Sequence, residues 1–205
     1  MARNQEQNEK MREERQAMIR AEALRQFAAK GLAATKIKDI AEGVGMAQGL
    51  IYHYYPSKED IYVELINHAL DKMNEAVYNL AGMPEPPDVK IKMAISEMLK
   101  TIDASRDFNQ TCRLIAGAAN SSVLPAAAQE LIGKKRDIPY QVLAGIMEAG
   151  QGEGTIIAAD PYELAVIFWT TVNGLAIYQA TRPDPIPMPP ARILYNMFLV
   201  DRDND

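Results

Sequence analysis

The chain has 205 residues, with 22 Lys+Arg against 27 Asp+Glu, a formal net charge of -5, a pI near 5.2 and one cysteine. This length admits one or two domains with a core that needs no disulfide or metal staple. The acidity excludes a protein that coats polyanions in bulk but leaves room for a local basic face, and the lone Cys112 excludes an internal disulfide framework and a Cys-rich zinc site, which fits a reducing compartment.

Residues 1–11 are polar and carry no apolar stretch of the kind a signal peptide needs, so they are expected to form a flexible N-terminus. From 12 to 30, Ile19, Ala23, Leu24, Phe27 and Ala28 recur at helical spacing, and Gly31 follows as a C-terminal cap. Two short helices are expected over 35–44 and 47–55, separated by Gly45 and stopped by Pro56. Ser57, with Asp60 three residues on, reads as the cap of a long helix over 57–82. Beyond the Gly82–Pro87 break, helices are expected over 88–104, 107–120, 125–151, 161–181 and 190–201, with Pro139 forcing a kink or restart in the third. Asp160 followed by Pro161 and Glu163 is a helix start, and 182–190, with five prolines, is an extended connector. No strand alternation is visible, and the fold class expected is all-α.

Residues 164–181 carry no charge, the minimum length for a membrane-spanning helix. Thr170, Thr171, Asn173 and Gln179 would need partners in hydrocarbon, so a helix buried on all sides, meeting a partner subunit, fits better. No membrane association is expected.

The informative stretch is TKIKDIAEGVGMAQGLIYHYYPSK, residues 35–58. Its first half puts Ile37, Ile40, Ala41 and Val44 on one face; Gly45 permits a sharp turn. Ile51 and Tyr55 continue the buried face, while Gln48, Tyr52 and His53, with Tyr54 at the flank, project outward. Two short helices joined through a glycine, with polar and aromatic groups outside the second, describe a helix-turn-helix whose second helix can enter a DNA major groove.

Thr35, Ile40-Ala41, Gly45, Gly49, Ile51-Tyr52-His53-Tyr54-Tyr55 and Ser57-Lys58-Glu59 together resemble the DNA-binding signature of the TetR family of bacterial transcriptional regulators. The likeness is good over about 12–70 and loose beyond. It implies a three-helix DNA-binding domain (12–56 here), a linking helix (57–82) and a helical ligand-binding and dimerisation domain (83–205). Position by position, it implies that Thr35 caps the second helix and meets a phosphate, that Lys58 neutralises another, and that Tyr52 and Tyr54 bond the DNA backbone. Gln48 and His53 then reach base edges, and Gly49 allows close approach. Ala47 and Leu50 stand where serine and threonine are usual; Leu50 can still touch a thymine methyl.

In the second half, Met93, Met98, Phe108, Cys112, Met147, Phe168 and Trp169 are individually ordinary core residues, but together they suit an adaptable apolar pocket. The resemblance implies such a pocket for a small organic effector, with Asn173 as a polar pocket or interface group. It also implies a homodimer, placed here at 161–181 and 190–201 as a four-helix bundle, on a double-stranded DNA operator. Two recognition helices then read half-sites about 34–36 Å apart or a multiple of that.

Catalysis has little support. Cys112 has no nearby histidine, and the Gly150–Gly154 run follows a helix where a phosphate-cradling loop would follow a strand. No metal-ligand spacing is present, and neither metal nor cofactor is expected; His68 reads as structural or exposed. The expectation is a cytoplasmic, ligand-responsive transcriptional repressor that is not an enzyme. The alternative is a helical small-molecule-binding protein or enzyme whose helix-turn-helix is vestigial. Charge divides along the chain: residues 1–60 hold 10 Lys+Arg and 9 Asp+Glu, net +1, and 61–205 hold 12 and 18, net -6.

Overall fold

The computed structural model describes residues 2–118, 124 and 126–200, and among these the chain forms ten helices and no strand beyond one antiparallel bridge between Ile156 and Leu199. Helix α1 (Ala2–Ala34) begins well before residue 12, where the apolar periodicity starts. Helical backbone there suits the composition: nothing in residues 2–30 is Gly or Pro, and Glu, Gln, Lys and Arg are good helix formers without any apolar face. The break comes at Gly31, with φ 77° and ψ 166°, a conformation that L side chains rarely adopt.

Helices α2 (Ile37–Gly43) and α3 (Gln48–Ile51) follow. The chain reverses between them at Gly45 (φ 66°), pinned by Met46 N–H donating to the Ala41 carbonyl at 2.9 Å. After α3 the helical turn continues, with Tyr54 and Tyr55 N–H groups both donating to the Ile51 carbonyl. Helix α4 (Lys58–Gly82) starts on Ser57, whose hydroxyl oxygen accepts from the Asp60 N–H at 3.1 Å. Ile19, Phe27, Ile40, Ile51, Ile61 and Leu70 form the centre of a first core. Phe27 meets Tyr62 edge-on at 5.2 Å between ring centres. This core is closed by residues from far along the chain: Leu114, Ala118, Leu124 and Ile132.

The larger body holds α5 (Pro87–Ala104), α6 (Arg106–Ala118), α7 (Ala126–Arg136), α8 (Ile138–Gly152), α9 (Pro161–Ala180) and α10 (Ala191–Tyr195). Pro139 lies in the first turn of α8, so the predicted 125–151 helix is two helices restarting after Asp137. The Pro139 carbonyl accepts the Trp169 indole N–H at 3.2 Å, which locks that junction to α9. Asp160 caps α9 by accepting from the Tyr162 and Glu163 N–H groups, both at 2.9 Å. Ile91, Ile95, Ile102, Leu143, Phe168 and Phe198 anchor the second core. Helix α6 packs against α1 on one side and α9 on the other, so it joins the two cores.

The helix predicted over 190–201 is not formed as such. Only Ala191–Tyr195 is helical; the chain then turns to bury Phe198 completely and runs extended, with Ile157 N–H donating to the Phe198 carbonyl at 3.0 Å. Seating that phenylalanine and pairing with the α8–α9 loop outweigh continuing a short helix. Residues 119–120 of the predicted 107–120 helix, 125 of the next and 201 of the last lie outside the described residues. Among the described residues no helix is long and apolar enough to cross a membrane. In the single chain α9 is not buried all round: Val166, Ile167, Thr170, Gly174 and Tyr178 leave one stripe open.

Candidate nucleic-acid interface and internal cavity

The two short helices present the expected face. Ile37, Ile40, Ala41, Ile51 and Tyr55 are buried, and Ala47, Gln48, Gly49, Tyr52 and His53 are exposed together on and around α3. Leu50 is half-buried at the edge of that face, and a Cβ at Gly49 would meet nothing within 4 Å, so the surface there is open to an incoming ligand. Tyr52 is half exposed. Lys36 and Lys38 flank the face from the start of α2, with Lys38 near Glu42 at 3.6 Å on an exposed i, i+4 pair of little energetic weight.

Three of the residues carried over from the resemblance sit differently. Thr35 is fully buried, and its hydroxyl donates to the Gly31 carbonyl at 2.8 Å. It closes the break at the end of α1 by satisfying an otherwise orphaned carbonyl, while the N-cap of α2 is Lys36, without a side-chain cap. Lys58 turns inward: its ammonium donates to the carbonyls of Leu32 (2.8 Å), Ala33 (3.2 Å) and Thr35 (2.8 Å). It therefore neutralises the carbonyl end of α1, with no phosphate required. Tyr54 is half-buried, and its hydroxyl accepts from Arg15 of α1 at 3.4 Å, a long bond that nonetheless points it away from the open face.

Behind this unit lies a cavity of about 1280 Å³ between α4, α5, α6, α8 and α9, reaching α1 at one end. Of the residues expected to line a pocket, Met93, Met98, Phe108 and Cys112 do so from α5 and α6. Phe168, Trp169 and Asn173 do so from α9. Met147 does not: it is fully buried in the second core, on the same face of α8 as the lining Tyr140 and Leu143 but one to two turns further along the helix. Burial pushes the Cys112 thiol up to about 12, which keeps it protonated and unreactive at neutral pH. Among the described residues no group of three His, Cys, Asp or Glu side chains is placed to hold a metal ion.

The sequence reading missed several lining residues. Tyr140 stands between Tyr162 and Trp169, with ring centres 6.3 Å from each, and forms an aromatic wall. His68 and Lys72 line the cavity from α4, and Arg20 from α1. His68 and Lys72 follow Leu65 at helical spacing, which was a usable signal; nothing local singles out Arg20.

A compact helix-turn-helix unit, joined through a shared core to a larger helical body with an apolar cavity, defines a two-part all-helical architecture. Residues 19–65 match the bacterial regulatory proteins of the tetR family. It is 27% identical over 95 residues to the uncharacterised HTH-type transcriptional regulator YuxN of Bacillus subtilis, covering 46% of this chain and 33% of YuxN. It is 28% identical over 167 residues to the HTH-type transcriptional regulator RutR of Escherichia coli K12, covering 77% of this chain and 72% of RutR. With the HTH-type transcriptional repressor KstR2 of Mycobacterium tuberculosis the sequence match is short, 47% over 45 residues and 22% of each chain. The KstR2 structure nevertheless superposes with a TM-score of 0.69 at 19% identity, over 89% of this chain and 90% of that one. A structure of AibR in complex with isovaleryl coenzyme A and operator DNA superposes with a TM-score of 0.71 at 19% identity, over 89% and 95%. The chain thus matches a third or less of the length of YuxN and KstR2 in sequence, while its fold matches the solved regulators almost throughout.

Proposed function

We propose that the chain is a DNA-binding transcriptional repressor of the bacterial cytoplasm, released from its operator by a small organic effector, and that it is not an enzyme. The observation that carries this reading is the pairing, in one chain, of an exposed Gln48-Gly49-Tyr52-His53 face with a large apolar cavity that reaches α1, the helix against which α2 packs. Gln48 and His53 supply hydrogen-bonding groups for base edges, and Tyr52 supplies one for the backbone. Leu50 supplies a methyl contact. The relatives' names support the regulator reading, and the AibR complex supports the combination of operator DNA with a bulky organic ligand on this fold.

Dimerisation rests on the open stripe of α9. Val166, Ile167 and Tyr178 are 38%, 44% and 47% exposed around Thr170 and Gly174, and a second copy of the helix crossing at Gly174 would cover them. A four-helix bundle that uses all of 190–201 is no longer part of the proposal, because α10 has only five residues.

Selection of bound fragments from a random DNA pool tests the reading. A two-fold-symmetric consensus should emerge, with affinity falling steeply as salt rises. Equal binding to random and selected DNA would overturn it in favour of a vestigial helix-turn-helix on a small-molecule-binding body. Any effector found must then weaken DNA binding by the same factor by which DNA weakens effector binding.

A further inference from the structure

The charges around the cavity are not mixed evenly. Where α1, α4 and α6 meet, the lining is apolar (Leu24, Leu65, Ile115) except for Arg20, His68 and Lys72. The lining carboxylates stand elsewhere, each among cations: Glu97 on α5 with Lys100 at 3.9 Å and the lining Lys92, itself paired with Asp88, on the same helix; Asp107 in the first turn of α6; and Asp137 at the α7–α8 junction beside Arg136. Asp107 precedes Ile115 by eight residues on the same helix, which separates that carboxylate from the α1 end by about 12 Å. Lys72 has no salt-bridge partner among the described residues. Arg20 has one, Glu64, which faces it from outside the lining.

Arg20 also leads out of the cavity. Its Nη1 donates to Glu64 Oε1 at 2.9 Å and to the Tyr55 hydroxyl at 3.4 Å, and that hydroxyl donates to the same Glu64 oxygen at 3.3 Å. Tyr55 is 3% exposed and closes the turn that ends the recognition segment, its N–H on the Ile51 carbonyl at 3.0 Å. One guanidinium thus faces the cavity while holding the tyrosine that seats the DNA-reading turn.

Building on the effector-responsive reading above, we propose that the α1–α4 end of the cavity is an anion subsite. It takes the carboxylate of an apolar acid, a hydrocarbon chain or ring system carrying one head group, and Arg20 transmits its occupancy to Tyr55. The hydrocarbon lies along the Met, Phe and Trp side chains of α5, α6 and α9. The carboxylate takes guanidinium N–H groups in the planar fork that suits it, with Lys72 and His68 as further donors. As the ligand competes with Glu64 for Arg20, the triangle that fixes Tyr55 opens and the recognition segment loses its seat.

The test uses the whole chain and Trp169, its only tryptophan, as a fluorescent reporter in the cavity wall. Dodecanoate, dodecanol and dodecyltrimethylammonium serve as probes of equal chain and different head. Dodecanoate should bind at least about tenfold more tightly than dodecanol, as expected for a charge-assisted hydrogen bond of about 1.5–3 kcal/mol. The preference should vanish in Arg20→Met and partly return in Arg20→Lys, while dodecanol binding stays constant and reports an intact cavity. Tyr55→Phe should bind dodecanoate like the parent but lose most of the ligand effect on DNA affinity, which for the parent is expected at about 5–150-fold. Equal binding of acid and alcohol, tighter binding of the ammonium, or an acid preference that survives Arg20→Met would overturn the subsite. Full coupling in Tyr55→Phe would overturn the transmission. If the parent binds no DNA selectively, the regulator reading fails, and the fluorescence comparison still decides the subsite.

Discussion

Replacing Lys58 by methionine separates two roles for one lysine. The ammonium sits at the first residue of α4, where the partial positive charge of a helix N-terminus disfavours a cation. It is held there by the carbonyls of Leu32, Ala33 and Thr35, which follow the Gly31 break and have no helical N–H to pair with. Methionine preserves the aliphatic stem and removes all the donors. Two of the bonds are 2.8 Å long and partly buried, and one charged donor is desolvated once for all three, so the loss is about 2–3 kcal/mol. For a chain of this size that corresponds to roughly 4–12 °C in melting temperature. Circular-dichroism melting and urea titration measure it. DNA binding across a salt series supplies the contrast, because a lysine that neutralised a phosphate would lower the salt slope by about 1 and leave the melting unchanged. An unchanged melting temperature with a reduced slope would refute the inward role assigned to Lys58.

Two further outcomes follow from the buried groups and the open helix. The Cys112 thiol is raised from 9.0 to about 12, so it is protonated in both folded and unfolded chains below pH 9 and costs stability only above it, as the unfolded thiol ionises first. Between about pH 9 and 12 the parent should therefore lose about 1.4 kcal/mol per pH unit relative to Cys112→Val, read from urea midpoints; a pH-independent difference would show that the thiol is not held in an apolar site. Ile167→Glu places a charge at the centre of the exposed α9 stripe and should convert a dimer to a monomer in sedimentation equilibrium, with secondary structure intact. A dimer that survives the substitution would place the interface elsewhere.

Local chemistry made much of this molecule readable. Asp160 before Pro161, Ser57 before Asp60 and the glycines at 31 and 45 each act within a few residues, and each is found where its spacing implies. The buried face of the helix-turn-helix could be read for the same reason, since a 3.6-residue period is a local property. Direction was not local. Lys58 and Thr35 lie in the right segment for phosphate, yet the end of a preceding helix claims both, and no pattern in the sequence reveals a carbonyl 25 residues away. Met147 and Met98 are alike as residues; position along the packed helices, beyond the reach of the cavity for one and beside it for the other, separates them. Arg20 was overlooked because its partners stand 35 and 44 residues further on. The shortness of α10 likewise follows from a remote demand, the burial of Phe198 against α9.

The first core does not end where the helix-turn-helix does. Leu114 and Ala118 from α6, with Leu124 and Ile132 beyond it, form part of its wall, all supplied by the half of the chain that holds the cavity. A segment cut after Gly82 would keep every recognition residue and expose a fresh apolar surface on α1 and α4. The reading head is therefore not a transplantable module. Under the proposed reading roles, its preference can drift through single changes at Gln48, Leu50 or His53, which are absent from that wall, whereas exchange of the whole head requires the matching face of α6 to travel with it. On the proposed function, operator preference and ligand preference can thus diversify by separate point substitutions, while the joint between them is inherited as a unit.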